Sequence, residues 1–306
     1  MSKLKEIPQN IRQAFSIAGY QLRLWHKNPR IIVTGILAFV LCFLLSGKIV
    51  SFAETYGLSV QIVEPFVWVF GDADSVLISS VLLLFLFADT PLLNKETPFF
   101  LVRTKRSVWL LGQIFYIVIG TFLYLCFLLV SVSFFCARDA FFANFWSPTA
   151  AMLGYSGAGN AISIPVTVKT METTSPYLCL LFIFGLMLVY SLLTVSVQLA
   201  VSLSKGHRAG TIVTLGFTVF GFLLKPDVIS LWLKLPPEGF YIANVIVGWL
   251  SPLNHAVFSG HNFGYDYLPS LAASFLFFGI TIFVCFFIAG KQIKRYGFDF
   301  SGLHIS

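Results

Sequence analysis

Apolar residues gather into long runs along this chain, separated by short polar stretches. Four runs are almost free of charge: Ile31 to Val50, Ser107 to Phe135, Tyr177 to Leu203 and Leu271 to Gly290. Each is long enough to cross a bilayer, which takes roughly 20 residues for roughly 30 Å of hydrocarbon. Two weaker runs, Ser75 to Leu93 and Thr211 to Leu224, are predicted to cross as well. The latter holds 14 residues, about 21 Å of helix. It is expected to extend at both ends, with Lys225 snorkelling to the interface. The pattern predicts an all-α polytopic membrane protein with six transmembrane helices.

The first thirty residues read differently. Ile11, Ala14, Phe15, Ala18, Leu22 and Trp25 recur at helical spacing, with Arg12, Gln13, Ser16, Arg23 and Lys27 on the other side. This predicts an amphipathic helix lying in the cytoplasmic interface, with Phe15, Leu22 and Trp25 as its anchors. Asn28-Pro29 ends it and turns the chain into the first span. The segment lacks a secretory leader pattern, so the first apolar run is expected to remain as an anchor.

A further apolar stretch, Gly239 to Leu253, is bounded by Pro236-Pro237 and Pro252. A seventh span here would carry Lys291, Lys294 and Arg295 outside, so it is read as a re-entrant or external helix pair between spans five and six. Val60 to Phe70 is a weaker stretch of the same kind. With six spans, 15 Lys and Arg residues fall inside and 5 outside, as the positive-inside rule requires. Both termini are then cytoplasmic. The chain is expected to be a single transmembrane domain, 1–306: an interfacial helix over 1–30, the spans over 31–290, and a tail over 291–306.

Composition agrees. Of the 306 residues 57% are hydrophobic and only 11% are charged, and the net charge is +7. Soluble domains carry about 25% charged residues, so too few are present here to coat a soluble core. The charge lies in the internal segments and therefore argues for topology rather than for nucleic acid.

Sites of chemistry are scarce. There is no GxxxxGK[ST] loop, HExxH or GxSxG elbow, so nothing argues for catalysis by this chain. The five cysteines form no CxxC pair; Cys136 and Cys179 allow a disulfide, with free thiols the favoured reading. His255 and His261, six residues apart, are read as solvated loop histidines, and no metal site is expected. Asp72 and Asp74 read as helix caps. Asp89 lies near the inner end of span two and is placed at the interface because Thr90-Pro91 follow at once.

Two segments resemble a known family. Lys95 to Phe115 carries Glu96, an apolar helix Phe99 to Val102, the basic pair Lys105-Arg106 and the step Gly112-Gln113. Leu235 to Gly260 starts with Pro236-Pro237 and later has Ser251-Pro252-Leu253-Asn254-His255. Both are similar to landmarks of type 2 ABC exporter permeases, whose elbow helix, six spans and late re-entrant pair have counterparts in the same order here. The acidic run before the internal helix is reduced to Asp89 and Glu96, and the external segment 136–176 is long.

The resemblance implies a permease subunit, not itself an enzyme, paired in the cell membrane with a second permease subunit, identical or homologous. A separate ABC ATPase subunit would bind ATP and Mg. Thr97, Pro98, Phe99, Phe100, Leu101, Arg103, Lys105 and Arg106 would couple to that ATPase, with Lys205, His207 and Arg208 as a smaller contact. Phe99, Phe100 and Leu101 would fill its cleft. The implied cargo is amphipathic or hydrophobic: a peptide, a lipid-like molecule or a drug. A non-transporting assembly or immunity factor and an intramembrane lipid-modifying enzyme are the alternatives.

Overall fold

The computed structural model describes residues 2–93, 97–164, 166–264 and 266–298, with side chains from residue 9 onward. It is an all-α fold, with four helices long and apolar enough to cross a membrane, or up to six if each of two bent pairs counts as one span.

The chain opens with α1 (Ser2–Arg23), then α2 (Pro29–Tyr56). Asn28 caps α2 by accepting from Arg30 N, and Pro29 fills its first turn, where a missing N–H costs nothing. Strand β1 (Val60–Gln61) leads into α3 (Glu64–Phe70), which meets α4 (Ala73–Leu86) at 88°. Asp72 is the N-cap of α4, and Asp74 sits in its first turn. Helix α4 stops at Leu86, short of the expected Leu93, because Ala88-Asp89-Thr90-Pro91 cannot continue it. Its 14 residues rise only about 21 Å.

Next come α5 (Thr97–Arg103) and α6 (Arg106–Cys136). Strand β2 (Ala140–Phe141) pairs in parallel with β1, matching Val60 to Ala140 and Gln61 to Phe141. The short helices α7 (Pro148–Tyr155), α8 (Ala158–Ala161) and α9 (Val168–Thr173) complete a cap. Helix α10 (Pro176–Lys205) is followed by α11 (His207–Leu223). Helix α11 gains a turn at its start but not at its end: Pro226 opens α12 (Pro226–Trp232) at 78° to it. Lys225 lies over the Phe222 ring, 4.5 Å from its centroid. Helix α13 (Phe240–Leu250) packs on α12, and α14 (Leu271–Gln292) closes the bundle. The stretch Gly239 to Leu253, expected as a helix pair, holds one helix, α13; the helix it packs against, α12, comes before that stretch in the chain.

Helix α10 is the hub, packed against α3, α4, α6, α11 and α14. By contrast, only 28% of the apolar stretch of α2 and 17% of that of α14 is buried within the chain. Their outer faces carry Ile36, Phe43, Leu44, Phe283 and Phe287, side chains that lipid accepts without penalty. Most buried hydroxyls inside the bundle bond back to their own helix: Ser80 to Val76 O, Ser131 to Phe127 O, Thr214 to Gly210 O and Thr218 to Thr214 O, each at 2.7–2.8 Å.

Helix α1 also packs on the bundle. Its buried stripe is Ala14, Ile17, Ala18 and Gln21, and it packs along α6 rather than only on a membrane surface. Close approach is possible because α6 offers Gly112: a Cβ there would sit 2.9 Å from Ile17 Cβ. Phe15 is half exposed and stacks on Phe115, with centroids 4.3 Å apart. Leu22 and Trp25 are partly buried against the core, and Trp25 Nε1 donates to the Tyr116 hydroxyl at 3.2 Å.

Candidate functional site

The hydrogen bonds define two ends of the bundle. Gln198 Nε2 donates to Phe87 O at 2.8 Å, and Leu92 N donates to Gln113 Oε1 at 3.1 Å. Arg106 Nη1 donates to the carbonyls of Lys294 and Tyr296 at 3.2 Å. The end of α4, the start of α6 and the ends of α10 and α14 therefore share one end, together with α5 and the 205–208 turn. We call it the basic end.

Helix α5 has two faces. Phe100 and Leu101 turn inward onto the core, and Phe100 meets Tyr20 of α1 edge-on at 5.6 Å. Phe99 is 65% exposed and Val102 is 87% exposed. The outward apolar pair is therefore Phe99 and Val102, three residues apart on one helical face. Of the three residues expected to reach a partner's cleft, only Phe99 points out, while Thr97 is buried and Pro98 half-buried. Arg103 is exposed beside them. Glu96 and Lys95, also part of the expected motif, lie outside the described residues.

The basic residues divide as well. Arg106 is a tie within the chain: besides its bonds to 294 and 296, its guanidinium lies 5.4 Å from the Phe298 centroid. It satisfies carbonyls at the end of the last helix, where a cation is favoured. Lys105 is the N-cap of α6. Lys205 and Arg208 are exposed at the turn after α10, and His207 is half-buried. Gly206, at φ 90°, makes that turn.

No protein family model, no curated protein and no solved structure matches this chain.

At the opposite end the cap is fastened to α3. All seven residues of α3 are buried. Ser147 N donates to one oxygen of the Glu64 carboxylate and Ser147 Oγ to the other, each at 2.5 Å. Thr149 Oγ1 donates to Ser59 O, and Trp146 packs at a tilt on Trp68 with centroids 4.9 Å apart. Cys136 and Cys179 are buried free thiols, as the favoured reading had it. Glu64 was the one charge in an apolar stretch, which was the signal that could have found this junction.

The two loop histidines are not solvated. His255 and His261 are buried, and both reach Ser274 Oγ, at 2.7 and 2.9 Å. Their other nitrogens face the carbonyls of Trp249 at 3.1 Å and Val257 at 2.9 Å. Four contacts need four hydrogens, yet two neutral imidazoles and one hydroxyl supply three. Among the described residues no three His, Cys, Asp or Glu side chains come together to hold a metal.

A fourth proton would complete the bonding but would place a charge in a dry site. Burial holds both histidines below their usual pKa, and Lys169 adds to this at His261. The charged groups facing the pair are few: Lys169, whose Nζ is 3.4 Å from His261 O, and Asp266, which pairs with it at 2.8 Å. For a depressed base the stability is present above the unfolded pKa, about 6.5, and is lost as pH falls. Acidification from pH 7 to 5 is therefore expected to lower stability through this pair. Melting curves of the wild type and of His255→Gln/His261→Gln check it: the wild type should lose more on acidification. Parallel pH profiles would show that the histidines do not sense pH.

Proposed function

We propose that this chain is the permease subunit of an ABC exporter, moving an amphipathic or hydrophobic cargo and driven by a separate ATPase that grips α5 at the cytoplasmic side. One observation carries the reading: the outward Phe99–Val102 pair, held in place by Phe100 and Leu101 and flanked by Arg103. Exposed apolar residues beside cations mark an interaction surface, and such anchors suit a desolvated cleft on a partner. The excess of bases at this end supports a cytoplasmic orientation. The second permease subunit, identical or homologous, would pack on outer faces such as those of α2 and α14.

The test combines placement and partner. Val102→Cys should react with an impermeant maleimide in inside-out vesicles and not in intact cells. Phe99→Asp/Val102→Asp should lose at least 90% (roughly, for about 1.4 kcal/mol per tenfold) of the P-loop ATPase recovered on co-purification, with helicity unchanged. Labelling from the cell exterior, or a complex that survives the double substitution, counts against the coupling role. Phe100→Asp is a poor probe, since it would bury a charge in the core.

A further inference from the structure

Where α1 passes through the turn at 24–28 into α2, a pocket of about 290 Å³ opens at the basic end. That volume is at the lower edge of small-molecule pockets, about 300–1,000 Å³. Gln21, Trp25, Lys27, Arg30, Asp89 and Tyr116 line it. Arg30 Nη2 pairs with Asp89 at 2.6 Å. Asp89 keeps more than half of its side chain exposed, so its carboxylate is open to a further donor.

Two of the residues that line this pocket each carry a buried atom without a partner. Gln21, only 4% exposed, has an Oε1 that accepts no hydrogen bond, and Arg30 has an Nε that donates none. An unmet buried polar group costs about 1–3 kcal/mol, so the pair asks for one ligand with both characters. An anion would meet Arg30 Nε and the Lys27 ammonium. An N–H donor beside it would meet Gln21 Oε1 and Asp89. Trp25 and Tyr116 add aromatic faces that attract a cation. Leu24 and Ile31 also line the pocket, and α2 continues outward with Ile32, Val33 and Ile36, each at least half exposed.

We propose that this pocket binds a phosphoethanolamine head group, carried by a membrane lipid whose chains run along the exposed face of α2. The phosphate sits on Arg30 and Lys27, and the ammonium sits between Gln21 Oε1 and Asp89. Bound there, the lipid joins the α1–α2 elbow to the end of α4. The assignment does not depend on whether α5 meets an ATPase.

The purified full chain, delipidated in a mild detergent, is titrated with phosphatidylethanolamine, phosphatidylcholine and phosphatidylglycerol, and retention is read by native mass spectrometry. Phosphatidylethanolamine should bind about tenfold tighter than phosphatidylcholine, whose quaternary nitrogen has no N–H to donate. Gln21→Leu and Asp89→Asn should each reduce that preference to about threefold or less while leaving phosphate-dependent binding in place. Gln21→Glu, which keeps an acceptor, should preserve the preference and guards against a folding artefact. Equal retention of the three lipids by the wild type overturns the proposal, as does a preference unchanged in both variants. Soluble phosphoethanolamine displacing the lipid at equal concentration would reassign the ligand to a water-soluble phosphate ester and overturn the lipid assignment.

Discussion

Glu64→Ala is expected to release the cap from the bundle at a cost of about 3–5 kcal/mol. The change strands two donors at once, Ser147 N and Ser147 Oγ, each now bound at 2.5 Å to a carboxylate oxygen. Each buried donor left unmet costs about 1–3 kcal/mol, and the vacated volume adds a cavity term. Glu64→Gln should cost less, because its amide oxygen still accepts from Ser147 N. Its amide nitrogen would then donate to Ser147 Oγ, which already accepts from Ala150 N. Limited proteolysis checks the prediction: Glu64→Ala should open cleavage within 137–176 while the long helices stay protected. Protection equal to that of the wild type would show that the rest of the junction suffices without this carboxylate.

Gly112→Val should push α1 off α6. A Cβ at this position would lie 2.9 Å from both Cβ and Cγ2 of Ile17 and 3.2 Å from the Ala14 carbonyl. None of these atoms is the free end of a flexible side chain, so the helices must part. Overpacking of this kind costs about 1–3 kcal/mol, and separation also weakens the Phe15–Phe115 stack and the Trp25–Tyr116 hydrogen bond. Gly19→Ala is the control, since nothing lies within 4 Å of a Cβ there. A spin-label distance between α1 and α6 should lengthen in Gly112→Val and stay unchanged in Gly19→Ala. No change in either variant would remove the close packing as the reason for glycine at 112.

Much of the fold was legible because lipid-facing helices are written as long apolar runs. The four strongest runs became α2, α6, α10 and α14, each within a few residues at the starts. The weaker runs failed at one end for a common reason: Thr90-Pro91 and Pro226 stop a helix even where the neighbouring residues are apolar. On α1, Ile17 was missed because periodicity finds a stripe without saying which edge faces protein. Gly112 on the partner helix decides that. On α5 the run Phe99-Phe100-Leu101 looked uniformly adhesive, yet a helix cannot turn three consecutive side chains to one side. Val102, at helical spacing from Phe99, could have been read from the sequence. The His255–Ser274–His261 cluster could not, because Ser274 is thirteen residues beyond His261 on another helix. Pairing between distant polar residues leaves no trace in hydropathy.

The hydroxyls along α11 carry one last implication. Thr214 and Thr218 are fully buried, and each hands its proton to a carbonyl one turn back on its own helix. Neither therefore latches α11 to α10 or α4. What ties α11 to its surroundings must lie elsewhere, as at Gly221, whose carbonyl accepts from Ser251 Oγ at 2.7 Å, and at Gly210, which lets α11 close onto Ser202 of α10.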